Sequence, residues 1–155
     1  VTKHRVCKDC KAEGVETVRP APQPGPRCQT HHRARKYAVR AASHAAYVLK
    51  TYGITGEEYQ AIYVSQGSRC YLCRIATGAT RNLSVDHDHA LAREHGHAEP
   101  VRRKQREIAC RDCVRGLLCG VCNRLVGFFR DDPDAFERAA EYLRHPPARE
   151  VLGDG

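Results

Sequence analysis

Asp86, His87, Asp88 and His89 form an unbroken run directly after the short apolar stretch Leu83-Ser84-Val85. Carboxylates and imidazoles at this density suit a hard divalent cation together with a base that titrates near neutral pH. Asn123 offers a neutral oxygen ligand immediately after Cys119-x2-Cys122, and a second pair, Cys70-x2-Cys73, stands upstream of the acidic run. Two Cys-x2-Cys pairs have the spacing of a closed tetrahedral zinc site. A further pair, Cys110 and Cys113, leaves the pairing of these thiols open. Phosphodiester hydrolysis needs an activated water, neutralised phosphate charge and help for the leaving 3′ oxygen. In that chemistry Asp86 and Asn123 would hold Mg²⁺ or a similar cation, and His87 would be the general base. His89 would contact the phosphate, help the leaving group or add a ligand, while Asp88 has no evident part. Asn123 is followed one turn later by Val126 and Gly127, so that face of the helix carries no further carboxylate.

These side chains need elements to hold them. Leu83–Val85 reads as a short strand and Val114–Leu118 as its partner, running into the second thiol pair. Neighbours on a regular strand face opposite ways, so Asp86 and His87 can serve one site only if the strand ends or twists between them. A helix is expected from Asn123 through Phe129. Asp132-Pro133 then caps a last helix with Phe136, Ala139, Ala140 and Leu143 as its buried stripe, before a frayed tail after His145. Upstream, Arg33–Thr51 reads as a helix with Tyr37, Ala41, Ala45, Val48 and Tyr52 on one side. Arg33, Lys36 and Arg40 occupy the other side, where solvation and contact with a DNA backbone both account for them. Gly53 ends this helix, and Thr55-Gly-Glu-Glu58 is a capping box opening the next, with Tyr59, Ile62 and Tyr63 inward.

Cys70-x2-Cys73, Val85-Asp-His-Asp-His89, Arg115-Gly-Leu-Leu-Cys119 and Cys122-Asn123 together resemble the phage recombination endonuclease VII family of ββα-metal (His-Me finger, HNH-like) nucleases. The likeness extends upstream through Tyr52-Gly53-Ile54-Thr55 and Gln66-Gly67, and downstream through Leu125-Val126-Gly127 to Tyr142-Leu143. It implies that Cys119 and Cys122 join Cys70 and Cys73 in one zinc knuckle, since Asn123 follows directly. It also implies a metal-dependent DNA endonuclease of phage or prophage origin, acting on branched or double-stranded DNA as a junction resolvase or nicking enzyme, and a homodimer. The sequence departs from the family in the span 90–113, where the family has a short turn.

That span carries His95, His97, Cys110 and Cys113, a set able to hold a further zinc, or else spare thiols. It also carries the basic run Arg102, Arg103, Lys104 and Arg106, which with Arg115 is expected to touch DNA. At the N-terminal end, Cys7-x2-Cys10 and Cys28-x2-His31 bracket a proline-rich loop and form a Cys3His set, with His32 competing for the fourth place. The expected organisation is an N-terminal zinc module (1–32), a helical arm (33–68), a ββα-metal core (69–130) with the inserted loop, and a C-terminal helix and tail (131–155). The fold class is therefore a small, zinc-stabilised α+β protein with two or three structural zinc ions per chain.

Composition supports this. Among 155 residues are nine Cys and nine His, but only three Phe, seven Tyr and no Trp. A core so poor in large apolar side chains calls for metal staples. Lys and Arg total 26 against 18 acids, a net charge of +8, which fits a nucleic-acid partner. No apolar run approaches a membrane span, and Val1–Cys7 has no apolar signal region, so reduced thiols in the cytoplasm of a host or phage-infected cell are expected. Val1 in place of Met fits an alternative start codon or processing. A non-catalytic zinc module that binds DNA or protein accounts for charge and thiols alike, but has no need of Asp86, His87 and Asn123 together.

Overall fold

The computed structural model describes residues 5–15, 18–21, 25–97 and 109–153. The basic run Arg102, Arg103, Lys104 and Arg106 lies outside the described residues. The chain divides into two compact units, Val1–Tyr47 and Val48–Gly155.

In the first unit, an isolated antiparallel bridge joins Val6 to Pro20, and the N–H of Cys7 and of Ala21 donate to the carbonyls of Arg19 and Arg5. A short helix, α1 (Lys8–Ala12), follows Cys7. The buried cluster here consists of Cys7, Cys10 and Cys28 with Val18 against it. Thiols stand where a larger domain would place Leu and Phe. The long helix α2 (Gln29–Tyr52) begins in this unit. It starts four residues before the expected Arg33, so His31 lies in its first turn. Of the expected apolar side, Tyr37 is exposed while Val48 is fully buried, because helical periodicity records a stripe and not whether anything covers all of it.

The second unit opens with the C-terminal end of α2. Gly53 closes that helix at φ +65°, and a Cβ there would meet the backbone nitrogen of Arg111 at 3.3 Å. Both facts require glycine. Helix α3 (Gly56–Ser65) starts at the expected capping box: Thr55 Oγ1 accepts from the Glu58 N–H, and Glu58 Oε2 accepts from the Thr55 N–H. The other Glu58 oxygen pairs with Arg111 at 2.7 Å. Buried Tyr59 donates its hydroxyl to the Leu83 carbonyl at 2.9 Å, fixing the chain just before the first strand. Burial pushes its phenol up to about 12.

Strands β1 (Ser84–His87) and β2 (Val114–Leu118) pair antiparallel as the only sheet among the described residues. Asp86 opposes Gly116, but His87 opposes Val114, so Arg115 is the extra residue of a bulge. The free edge of β2 is covered by one side chain. Gln66 Nε2 donates to the Leu117 carbonyl (2.9 Å), and its Oε1 accepts from the Leu117 N–H (2.8 Å), as a neighbouring strand would. Gly116 makes room for this, since a Cβ there would sit 2.9 Å from Gln66 Oε1.

Helix α5 (Gly120–Phe128) follows β2 and packs on both strands. The span expected to be an inserted loop contains a helix, α4 (His89–Glu94), and a 3₁₀ turn at Arg111–Cys113. The first arises because Asp88, which had no evident part, is a helix cap: its Oδ1 accepts from the N–H groups of Ala90 and Leu91. Asp132 caps α6 (Pro133–Arg144) as expected. The buried stripe expected on α6 is only partly present: Ala135 is buried, Phe136 stacks edge-on against Phe129, and Leu143 is 78% exposed. The expected frayed tail contains a further short helix, α7 (Pro147–Leu152), entered through Pro146-Pro147. The mixture of helices with a small antiparallel pair is the α+β class expected.

Replacing Gln66 with Ala leaves the buried N–H of Leu117 without its acceptor. The expected cost is about 1–3 kcal/mol, seen as a lowered melting temperature in a zinc-replete thermal scan.

Candidate metal centres and active site

Three groups of four side chains could each hold a metal, with every ligand atom within 4.8 Å of the others in its group. The first is Cys7, Cys10, Cys28 and His31. Nδ1 of His31 faces all three sulfurs, at 3.2 Å from Cys7 and 3.4 Å from Cys10 and Cys28. Its Nε2 lies 3.0 Å from Glu13 Oε2, a carboxylate that orients the ring and raises its basicity. His31 therefore fills the fourth place. His32 is exposed. Burial opposes ionisation of Cys7, but backbone N–H groups and His31 outweigh it and bring the thiol down to about 6.

The second group is Cys70, Cys73, Cys119 and Cys122, the pairing that the family resemblance implied. The Cys119 N–H points at Cys70 Sγ (3.2 Å) and the Cys122 N–H at Cys119 Sγ (3.5 Å), the N–H···S pattern of a thiolate knuckle. Backbone N–H groups at Ala76 and Ile75 lower Cys73 to about 6, whereas burial and the adjacent sulfurs push Cys122 up to about 12. Four thiols this close cannot all ionise unaided, and a divalent cation removes that conflict.

The third group gathers His95, His97, Cys110 and Cys113. His95 Nδ1 stands 3.1 Å from Cys110 and 3.4 Å from Cys113, whose sulfurs are 3.4 Å apart. His97 and then His95 lower the Cys110 thiol to about 6. This set is next to the acidic run, because the Asp88 N–H donates to the Cys113 carbonyl at 2.8 Å.

The acidic run itself ends β1. Asp86 and His87 are each 8% exposed; they are the last two residues of β1, and the register shift caused by Arg115 of β2 falls between them. The His87 ring lies 4.6 Å from that of His89 and 5.8 Å from that of Tyr52, centroid to centroid. Arg115, expected to touch DNA, bonds both oxygens of Asp86, through Nε at 2.8 Å and Nη2 at 3.3 Å. Asn123 occupies the second turn of α5, the helix that packs on both strands. Its Oδ1 is buried and is the one such side-chain atom without a hydrogen-bond partner among the described residues. A buried, unpaired carbonyl oxygen is costly unless something else binds it, and it fits a hard cation together with the Asp86 carboxylate.

One residue here was invisible to the sequence reading. Asp131 Oδ2 is 2.7 Å from His89 Nδ1, and its Oδ1 accepts from Arg115 Nη2 at 2.9 Å. Burial works against this carboxylate, but Arg115 and His89 outweigh it and hold it below its usual range. Asp131 lies beyond the end of α5, and its carboxylate serves His89 and Arg115. Arg130 and Asp131 both adopt left-handed backbone (φ +54° and +59°), which costs about 1–2 kcal/mol for each non-glycine residue. Only the Asp132-Pro133 cap was legible at this point, and nothing local links Asp131 to a histidine 42 positions away.

The sequence profile of the recombination endonuclease VII family matches residues 45–145. The gene 59 protein of Mycobacterium phage D29 is 45% identical over 153 residues, which is 98% of this chain and 81% of that relative. The gene 59 protein of Mycobacterium phage L5 is 44% identical over the same shares. No solved structure matches the chain significantly.

Elemental analysis of the purified chain is expected to give three zinc ions, one per four-ligand group. Cys113→Ser should lower the count to two. A wild-type count near one would leave both the first and the third group without a metal.

Proposed function

The chain belongs to the recombination endonuclease VII family, and from that premise we infer that it is a metal-dependent endonuclease of the ββα-metal type that hydrolyses DNA phosphodiesters. The observation that carries this reading is the buried Asp86–His87 step at the bulged end of β1, together with the unpaired Asn123 Oδ1 on α5. Asp86 and Asn123 would hold a Mg²⁺ or similar ion. When bound, such an ion neutralises the phosphate and stabilises the leaving 3′ oxygen. His87 takes the proton of the attacking water as its oxygen bonds to phosphorus. The P–O3′ bond then breaks, and the 3′ oxygen acquires a proton, with His89 the nearest imidazole to His87 for contact at the phosphate or leaving oxygen. With Asp86 engaged by such an ion, Arg115 would still have the Asp131 carboxylate as its partner. The zinc groups do no chemistry in this scheme; they fix the ends of the elements that carry it.

The substrate is DNA, and branched or nicked duplexes are the preferred forms in this reading. A second basic surface supports it. Gln29, His32, Arg33, Lys36, Tyr37 and Arg40 line one groove along α2, so Tyr37 shares the face of the cations instead of opposing them as the periodicity suggested, and this helix contains no acidic residue. Exposed cations at helical spacing with an aromatic between them suit contact with a phosphate backbone. A purely binding zinc module would share this stripe and the thiols. It would have no use for a buried acid and imidazole beside an unpaired amide oxygen.

His87→Ala is expected to reduce cleavage about 10²–10⁴-fold, with zinc content and DNA binding retained. Asp86→Ala should also lose activity, but part of it should return as Mg²⁺ is raised, since the defect is a lost ligand. The measurement is a cleavage time course on matched linear, nicked and four-way-junction DNA across a Mg²⁺ titration. Near-normal activity of His87→Ala would remove its assignment as base.

For the α2 stripe, replacing Arg33, Lys36 and Arg40 together with Ala should weaken binding to all duplexes alike. It should also flatten the slope of log affinity against log salt by about 2–3. An unchanged slope in fluorescence anisotropy would mean that the stripe is merely solvated.

A further inference from the structure

We propose that Asp131 is a positioning residue that sets which nitrogen His89 presents to the substrate and keeps Arg115 in the site. This rests on the nuclease reading above and adds to it a residue outside the motifs on which the family resemblance was read. The geometry is specific: one carboxylate oxygen serves each partner, Oδ2 at 2.7 Å from His89 Nδ1 and Oδ1 at 2.9 Å from Arg115 Nη2. The side chain is only 17% exposed.

The backbone around Asp131 is turned to make this possible. After α5 the chain reverses through Arg130 and Asp131, both in the left-handed region. Their N–H groups donate back to the carbonyls of Gly127 and Val126. The following residue, Asp132, already starts α6. Side chains with a Cβ avoid that backbone region, and two in succession persist only where the surroundings demand them. What the turn achieves is a carboxylate delivered between an arginine of β2 and a histidine at the start of α4.

Two consequences follow for the chain's own groups. A ring nitrogen facing a carboxylate carries the proton, so His89 keeps Nδ1–H toward Asp131, and it meets a phosphate or leaving oxygen through Nε2, as a donor once the ring carries its second proton. Arg115 meanwhile has two anionic acceptors, Asp86 and Asp131. A cation at Asp86 competes for one of them. Asp131 is the acceptor that remains, so the guanidinium stays beside the reacting phosphate.

The test uses the full zinc-loaded chain with Asp131→Ala and, as a volume-preserving variant, Asp131→Asn. In metal-titrated cleavage assays at saturating DNA, Asp131→Ala should lower kcat about 10–100-fold, with KM and zinc content near the wild-type values. In the His89→Ala background, where His89 is already gone, the same change should cost much less. Independently of activity, imidazole ¹⁵N shifts without Mg²⁺ should show His89 protonated at Nδ1 in the wild type, and a shift toward the Nε2–H form in Asp131→Ala. Additive losses in the double variant, or a tautomer unmoved by both substitutions, would overturn the proposal. If the wild type itself failed to cleave DNA, the nuclease reading would fall, while the ¹⁵N shifts would still decide whether Asp131 governs His89.

Discussion

Sulfur atoms brought within a few ångströms of one another repel once ionised, and the fold is arranged around places where that repulsion must be cancelled. Among the described residues of the first unit, the buried cluster is three thiols with a partly buried valine packed against them. Nothing apolar there could replace a cation as the source of cohesion. In the second unit thiols stand at the hinge of every functional element: Cys113 directly before β2, Cys119 as the cap of α5, and Cys70 bonded by the Cys119 N–H. With metal in these groups, affinity and folding stability would be one quantity, and a chelator would act as a denaturant.

Around those staples, ordinary interactions supply precision. Glu58 divides its two oxygens between a helix start and Arg111, and Gln66 stands in for a missing third strand. A two-stranded sheet is marginal alone; here one edge is completed by an amide side chain, and α5 packs on both strands. The bulge at Arg115 then does two things at once. It shifts the pairing of the two strands between Asp86 and His87, the last residues of β1, and it turns a guanidinium toward Asp86.

What the sequence made legible was local. Cys-x2-Cys spacing, the Thr55–Glu58 box and the Asp132-Pro133 cap each need only a few neighbouring residues, and each formed as read. All four ligands of the third group, His95, His97, Cys110 and Cys113, were identifiable by type, although their common geometry depends on α4. Asp88 was opaque because its acidity suggested chemistry whereas its hydrogen bonds make it a cap. Asp131 was opaque for another reason: no local motif singles it out, and its partners His89 and Arg115 are far away in sequence. The α6 stripe failed at Leu143 because amphipathic periodicity specifies a face, not the existence of something for it to cover. The short helix α7 was missed since two prolines were read only as a stop, whereas proline is also well suited to a first turn.

The third metal group has a corollary for chain length. It gathers His95 and His97 on one side and Cys110 and Cys113 on the other, with all four ligand atoms mutually within 4.8 Å. A metal held by all four would tie these two ends together, at a loop-closure entropy set by the number of residues between His97 and Cys110. That entropy grows logarithmically, so doubling the span costs only about 0.6 kcal/mol. Such a bracket insulates the nuclease core from whatever lies between its ends. An interval tied at its ends in this way can change length without retuning Asp86 and His87.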